Sequence, residues 1–193
     1  MDEREQPFLG DGRIVAHVTS VNVSAVHDFS KSPQREIELL EGLGVAGDAH
    51  CGTTVKHRSR VKRNPSQPNL RQVHLLQSEL FDEVAQNGHP LRPGDMGENV
   101  TTTGIDLLAL PRDTVLRLGE TAEVQLTGLR NPCWQIDNFQ QGLLKHMLGV
   151  GEHGRIVRKA GVMAVVRRSG PVCAGDRVTV VLPDLPHQRL EKV

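Results

Sequence analysis

The sequence predicts a mainly β fold, a β-barrel with a few short helices, on three observations. Short alternating or β-branched runs recur along the chain, turn-forming glycines separate the later ones, and helical periodicity is confined to two stretches. Many short strands at this spacing favour a closed sheet, because closure removes exposed edges. At 193 residues the chain is long enough for one hydrophobic core and near the upper size for one. A single domain is expected over residues 10–183, with terminal tails at 1–9 and 184–193, the second of them loose.

Strands are expected at residues 13–20, 35–40, 71–77, 114–118, 123–127, 161–167 and 177–182, with turn signals between them. The turns Leu118-Gly119-Glu120, Ser169-Gly170-Pro171 and Ala174-Gly175-Asp176 join the later strands tightly, since Gly permits a positive φ and Asp bonds its own backbone. Ser78 opens a helix running to about Asn87, with Glu79 and Asp82 in its positive first turn and Gly88 ending it. A second helix is expected from about Asp137 to Leu148, where Phe139, Leu143, Leu144 and Met147 fall at helical spacing despite Gly142. Residues 47–69 show no period and form a long basic loop.

Composition excludes several classes of function. The charge balance is even, 23 basic against 23 acidic residues, so any attraction for an anion is local. No apolar run approaches the roughly 20 residues needed to span a bilayer, and the polar, acidic start is unlike a signal peptide, so a cytoplasmic protein without a membrane partner is expected. Aromatic residues are 3% of the chain and Tyr is absent, which argues against a base-stacking surface and against nucleic acid as a partner. Cys51, Cys133 and Cys173 stand far apart with no CxxC pair, matching neither a disulfide framework nor a four-thiolate zinc site.

Several local patterns carry chemistry, each with a plain structural reading beside it. Gly42, Gly44 and Gly47 match the GxGxxG of dinucleotide-binding folds, but no helix opens at the third glycine to meet a pyrophosphate, so the match is set aside. In Arg130-Asn131-Pro132-Cys133-Trp134-Gln135 a thiol follows a proline at a strand exit, beside a guanidinium and two amides. A nearby guanidinium favours thiolate, the form that binds soft metals or carries sulfur; the alternative is a buried cysteine acting as a small hydrophobe. Residues 92–104 join glycines with Asp95, Glu98, Asn99 and Thr101, either as a cradle for a polar ligand or as a turn feeding a short strand. His50, Cys51 and His57 lack the paired spacing of a zinc site and stand among cations. Lys56, His57, Arg58, Arg60, Lys62, Arg63 and Arg71 suit a phosphate or form a solvated basic loop. Arg158 and Lys159 either reach a ligand or are exposed, and Cys173 reads as structural.

Taken in order, residues 42–50, 71–76, 94–104 and 130–136, with the Ala174-Gly175-Asp176 turn before the last strand, resemble the MOSC domain, the C-terminal domain of molybdenum-cofactor sulfurases. The resemblance spans about residues 10 to 183 and implies a barrel with the cysteine at the mouth of a pterin-binding cleft. It implies Cys133 as the catalytic residue and the thiolate ligand to molybdenum. Around it, Arg71, Asp95, Glu98, Asn99, Thr101, Arg130, Asn131, His50, His57 and Arg58 are the candidate cofactor contacts. The cofactor so implied is the molybdenum cofactor. Pyridoxal phosphate is not expected, because the desulfurase domain that carries it in sulfurases has no counterpart in this sequence.

Reductase-type relatives remove oxygen from N-hydroxylated compounds, so the resemblance implies a molybdenum-dependent oxidoreductase acting on a small-molecule substrate. With no ferredoxin cysteines in the sequence, a separate electron-donor reductase is the expected partner. The longer bacterial reductase-type members carry a His-His-Gly-Gly stretch where this chain reads Asp48-Ala49-His50-Cys51-Gly52-Thr53-Thr54, a departure from their pattern. The competing reading is a non-enzymatic sulfur carrier, with a persulfide on Cys133 and a cysteine desulfurase as partner.

Overall fold

The structure is a computed structural model that describes residues 16–56, 61, 64–151 and 154–193. Its centre is a closed barrel of seven strands. These are β1 (Ala16–Val23), β5 (Val73–Gln77), β6 (Val100–Thr103), β7 (Val115–Leu118), β8 (Ala122–Leu129), β11 (Val162–Arg168) and β13 (Arg177–Val181). They run in the order β13-β7-β8-β11-β5-β6-β1, and β1 returns to β13 through Ala16 opposite Val178, which closes the ring. A short β2 (Ser32–Gln34) extends β1, while β3 (Glu36–Leu40), β4 (Gly44–Val45) and β12 (Gly170–Cys173) form a side sheet. A hairpin of β9 (Leu148–Val150) and β10 (Ile156–Arg158) stands apart.

Alternation between core and surface is clearest in β8. Along β8 every second residue is buried, so Ala122, Val124 and Leu126 point to the core while Glu123, Gln125 and Thr127 face outward. The barrel core collects Val18, Leu39, Leu75, Leu116, Leu126, Ala164, Val178 and their neighbours. All the barrel pairings are antiparallel except β5 with β6. A parallel pair needs a crossover, and α1 (Glu79–Ala85) supplies it. β5 is therefore covered on both faces: Val73 and Leu75 enter the barrel core, and Leu76 joins a second cluster with Leu80, Val84, Met96, Ile136, Leu143 and Met147. That second cluster is the base on which the cysteine loop sits.

The helices depart from the sequence expectation in three ways. Ser78 makes no side-chain cap; its backbone N–H donates to Thr102, and the Glu79 carboxylate accepts from the Gly104 N–H and the Thr103 hydroxyl. The barrel itself thus seats the start of α1, which ends at Ala85 rather than near Asn87. The second helix is not continuous: α2 (Gln135–Phe139) ends at an extended Gln140, and a 3₁₀ turn at Leu144–Met147 follows. Gly142 takes φ +86°, which reverses the chain between them, and the Asp137 carboxylate caps the break by accepting from the Leu144 N–H at 2.8 Å. The helical spacing survives as burial of Leu143 and Met147.

Other differences concern edges. Residues 13–15 of the first predicted strand lie outside the described residues, and β2, β4, β9, β10 and β12 are too short to show a period. Residues 188–193, expected to be loose, dock on the barrel: Leu190 enters the core, Glu191 accepts from the Leu129 N–H and Val193 donates back to Leu129. Leu190→Ala is expected to lower the unfolding free energy by about 2–4 kcal/mol, read as a fall in the urea midpoint at unchanged slope. A shift equivalent to less than about 0.5 kcal/mol, the size of an ordinary surface change, would mean the segment contributes nothing.

Candidate functional site

The chain leaves β8 at Arg130, whose N–H still donates to Gly161 on the neighbouring strand. Pro132 cannot continue a ladder, so the backbone turns out of the sheet, and the Cys133 carbonyl accepts the first hydrogen bond of the turn that opens α2. Cys133 is half-buried, and its thiol donates to the Gln135 side-chain carbonyl at 3.4 Å. Asn131 is held from outside by the Arg158 Nε–H, 3.1 Å away. The Arg130 guanidinium turns inward, donating to the Met96 carbonyl at 2.5 Å and lying 5.5 Å over the Phe29 ring, which packs on Phe139. Burial pulls Arg130 below its ordinary range, with Cys133 and Glu98 pulling it back up. The cation is therefore fixed and electrostatically coupled to the thiol.

A second group of polar residues meets at Asp48, whose side chain is 1% exposed. Its carboxylate accepts from Lys31, from the His50 N–H at 2.9 Å and ring Nδ1 at 3.2 Å, from the Asn99 amide at 3.0 Å and from the Ser24 N–H. Burial pushes this carboxyl up, but the His50 hydrogen bonds and the Lys31 charge outweigh it and hold it well below the usual carboxylate range. Asn99 extends the network, accepting from the His74 N–H and donating to the Asn22 carbonyl. Gly94 makes the neighbouring approach possible: at φ +88°, a Cβ there would lie 2.2 Å from the Lys31 carbonyl. His74 is buried with Nε2 donating to Ala160 at 2.8 Å, and burial, reinforced by the Arg130 charge, keeps it neutral.

Between these groups opens a cleft of about 930 Å³. Of the candidate contacts, His50, Arg71, Asn99, Arg130, Asn131 and Cys133 all line it. Asp95, Glu98 and Thr101 are not among its lining residues. Asp95 accepts from the Arg92 N–H, closing a turn. Glu98 is fully buried, accepting from the Gly94 N–H at 2.6 Å and the Thr101 hydroxyl at 3.1 Å, and burial pushes its carboxyl up. The 92–104 segment is thus a turn feeding β6, and it presents only Met96, Gly97 and Asn99 to the cleft. His57 and Arg58 lie outside the described residues. Lys159 is tied to Glu83 at 2.5 Å.

Sequence reading passed over His27, Asp28, Phe29, Lys31 and His74, which also line the cleft. Residues 24–31 have no period and no motif, so nothing local marks them. Among the described residues the charged lining is Lys31, Lys56, Arg71 and Arg130 against Asp28, which suits an anion. Among the described residues no group of three or more His, Cys, Asp and Glu side chains is arranged to hold a metal ion, and no helix is long and apolar enough to cross a membrane.

A barrel with one thiol beside a fixed arginine at the mouth of a basic cleft defines the class, and sequence comparison identifies it. The MOSC domain family model matches residues 56–179, and the chain belongs to that family. The YUAD protein of Bacillus subtilis shares the fold at a TM-score of 0.73 and 23% identity, covering 89% of this chain and 98% of its own. YiiM from Geobacillus stearothermophilus is similar at 0.59 and 18% identity, over 92% and 78% of the two chains. YiiM from Escherichia coli follows at 0.58 and 20%, over 91% and 73%. No curated protein matches the sequence.

Asp48→Asn removes the charge that balances Lys31 and is expected to cost about 3–5 kcal/mol at pH 7, measured by urea unfolding. Because the folded carboxyl is depressed, its contribution is present above the unfolded value of about 3.9 and is lost as pH falls below it. The gap between wild type and variant therefore narrows below pH of about 4; a constant gap from pH 6 to 3 would contradict the ionised pair.

Proposed function

We propose that this MOSC protein holds a molybdenum–pterin cofactor in the cleft, with the Cys133 thiolate as the protein ligand to the metal. In this reading it reduces N-hydroxylated compounds with electrons from a separate reductase. The observation that carries the proposal is the position of Cys133 in the wall of a cleft lined, among the described residues, by four basic side chains and one acidic one. The donor set fits the group. Thiolate suits a soft metal, guanidinium forks suit a phosphate, and the amides of Asn131 and Gln67 offer donors and acceptors to a pterin edge.

When bound, the cofactor supplies two-electron redox chemistry. The chain supplies the rest. Arg130, locked between the Met96 carbonyl and the Phe29 face, keeps a fixed cation near Cys133. Arg71 and Lys56 stand where an anionic tail meets positive charge. Asn131, tethered by Arg158, fixes the loop that aims the sulfur. Gln135 accepts a hydrogen bond from the Cys133 thiol through its side-chain carbonyl, and its amide N–H groups are donors available to the sulfur when it ligates a metal.

Metal analysis of protein purified from a host that makes the cofactor tests the reading. The natural chain is expected to carry molybdenum at near one per chain, and Cys133→Ala less than about a tenth of that, as loss of a metal ligand implies. No molybdenum on the natural chain, or equal amounts on both, would overturn it. An extra sulfur on Cys133, removed by reductant and found without molybdenum, would assign the protein to sulfur transfer instead.

A further inference from the structure

His50 stands in the cleft wall with one ring nitrogen already committed. Its Nδ1 lies 3.2 Å from the Asp48 Oδ1, which also accepts the His50 backbone N–H at 2.9 Å. The Asp48 carboxyl is held ionised and is therefore an acceptor only, so the proton in this contact sits on Nδ1. A neutral imidazole has a single N–H, which leaves Nε2 bare. The carboxylate side is sealed at 1% exposure while the His50 side chain is 28% exposed and lines the cleft, and Nε2 is the ring nitrogen that does not face Asp48. The His27 ring meets His50 edge-on at 4.9 Å and walls the other side.

The charged and titratable groups around His50 come from several elements. Lys31 occupies the second Asp48 oxygen, Cys51 follows His50 in the chain, and Asp28, Lys56, Arg71, His74, Arg130 and Cys133 share the cleft. His74 differs in kind, because its Nε2 is spent on the Ala160 carbonyl inside the protein. Asp48 in turn is held by Lys31, Asn99 and the Ser24 N–H, so it has no freedom to release the imidazole.

We propose that Asp48 is a positioning residue that fixes His50 as the Nδ1–H tautomer, and that His50 Nε2 takes up a proton and delivers it to the molecule bound in the cleft. The identity of that molecule rests on the function proposed above; the tautomer and the exposed nitrogen do not. Removing a hydroxyl from nitrogen consumes two electrons and two protons: the N–O bond breaks, the oxygen leaves as water, and an N–H bond forms. The electrons come from the external reductase. The imidazolium gives its Nε2 proton to the departing oxygen and returns to the neutral form with Nδ1–H still on Asp48, while the second proton arrives from solvent.

Nitrogen-15 spectra of the full chain with labelled histidine test the first half without any cofactor. At pH 8 His50 is expected as the Nδ1–H tautomer, and Asp48→Asn as a mixture of both; the Nε2–H tautomer in the natural chain would overturn the inference. Should Asp48→Asn fail to fold, the natural spectrum alone decides. Diethylpyrocarbonate is expected to acylate His50 about tenfold or more faster than buried His74, since only an open, unprotonated ring nitrogen reacts; equal or slower modification would count against it. In the molybdenum-loaded protein, His50→Gln is expected to lower turnover about 100-fold, the lower range for a lost acid–base group, with molybdenum content unchanged. If the natural chain binds no molybdenum, the proposed function falls while the tautomer and acylation results stand. If it binds molybdenum and His50→Gln keeps full turnover, the proton-delivery role alone falls.

Discussion

The candidate site depends on one buried ion pair. Asp48 and Lys31 are both almost completely removed from water, and a buried pair survives only if the remaining polar valences are met. Here they are: His50, Asn99 and Ser24 donate to the same carboxylate, and each ties a different piece of chain to it. Residues 22–31, 48–50 and 94–99 reach the cleft by separate routes and are brought to register by this group and its backbone neighbours, including the Lys31 N–H bond to Gly94. Without the pair the cleft floor has no common anchor.

The barrel supplies the opposite wall. Its strands β8 and β11 deliver Arg130 and Met163, and the crossover through α1 buries the outer face of β5, which places His74 and the apolar cluster under the cysteine loop. The loop thus rests on packed side chains rather than on solvent. A nucleophile or metal ligand needs such support, since a sulfur that wanders by an ångström loses most of its value to a bound partner. Arg130 shares in this rigidity, because its backbone N–H is bonded to Gly161 just past the end of β8 and its side chain is held by Met96 and Phe29.

Much of this was legible in the residues. Period-two alternation exposed β8 and β13, a β-branched apolar run exposed β11, and the Pro132-Cys133 strand exit beside Arg130 pointed to the thiol. What was not legible depends on direction or distance. Asp95, Glu98 and Thr101 have the composition of a ligand cradle, but a turn rich in N–H donors needs acceptors of its own; Asp95 and Glu98 provide them, and the Thr101 hydroxyl donates to Glu98. Lys31 lies 17 residues from Asp48 in a stretch with no pattern, so their pairing has no local signature. Leu190 is one apolar residue among polar neighbours, and only the barrel shows what it packs against. The break at Gly142 was visible as a glycine, yet the apolar spacing around it is the same for one helix or for two turns.

The account turns on sulfur at position 133 reaching a metal in the cleft. X-ray absorption at the molybdenum edge, on loaded natural protein and on Cys133→Ser, reads this directly. The account predicts one more sulfur in the first coordination shell of the natural protein than of the variant. Identical shells would contradict it, and would leave Cys133 as a residue that lines the cleft without touching the metal.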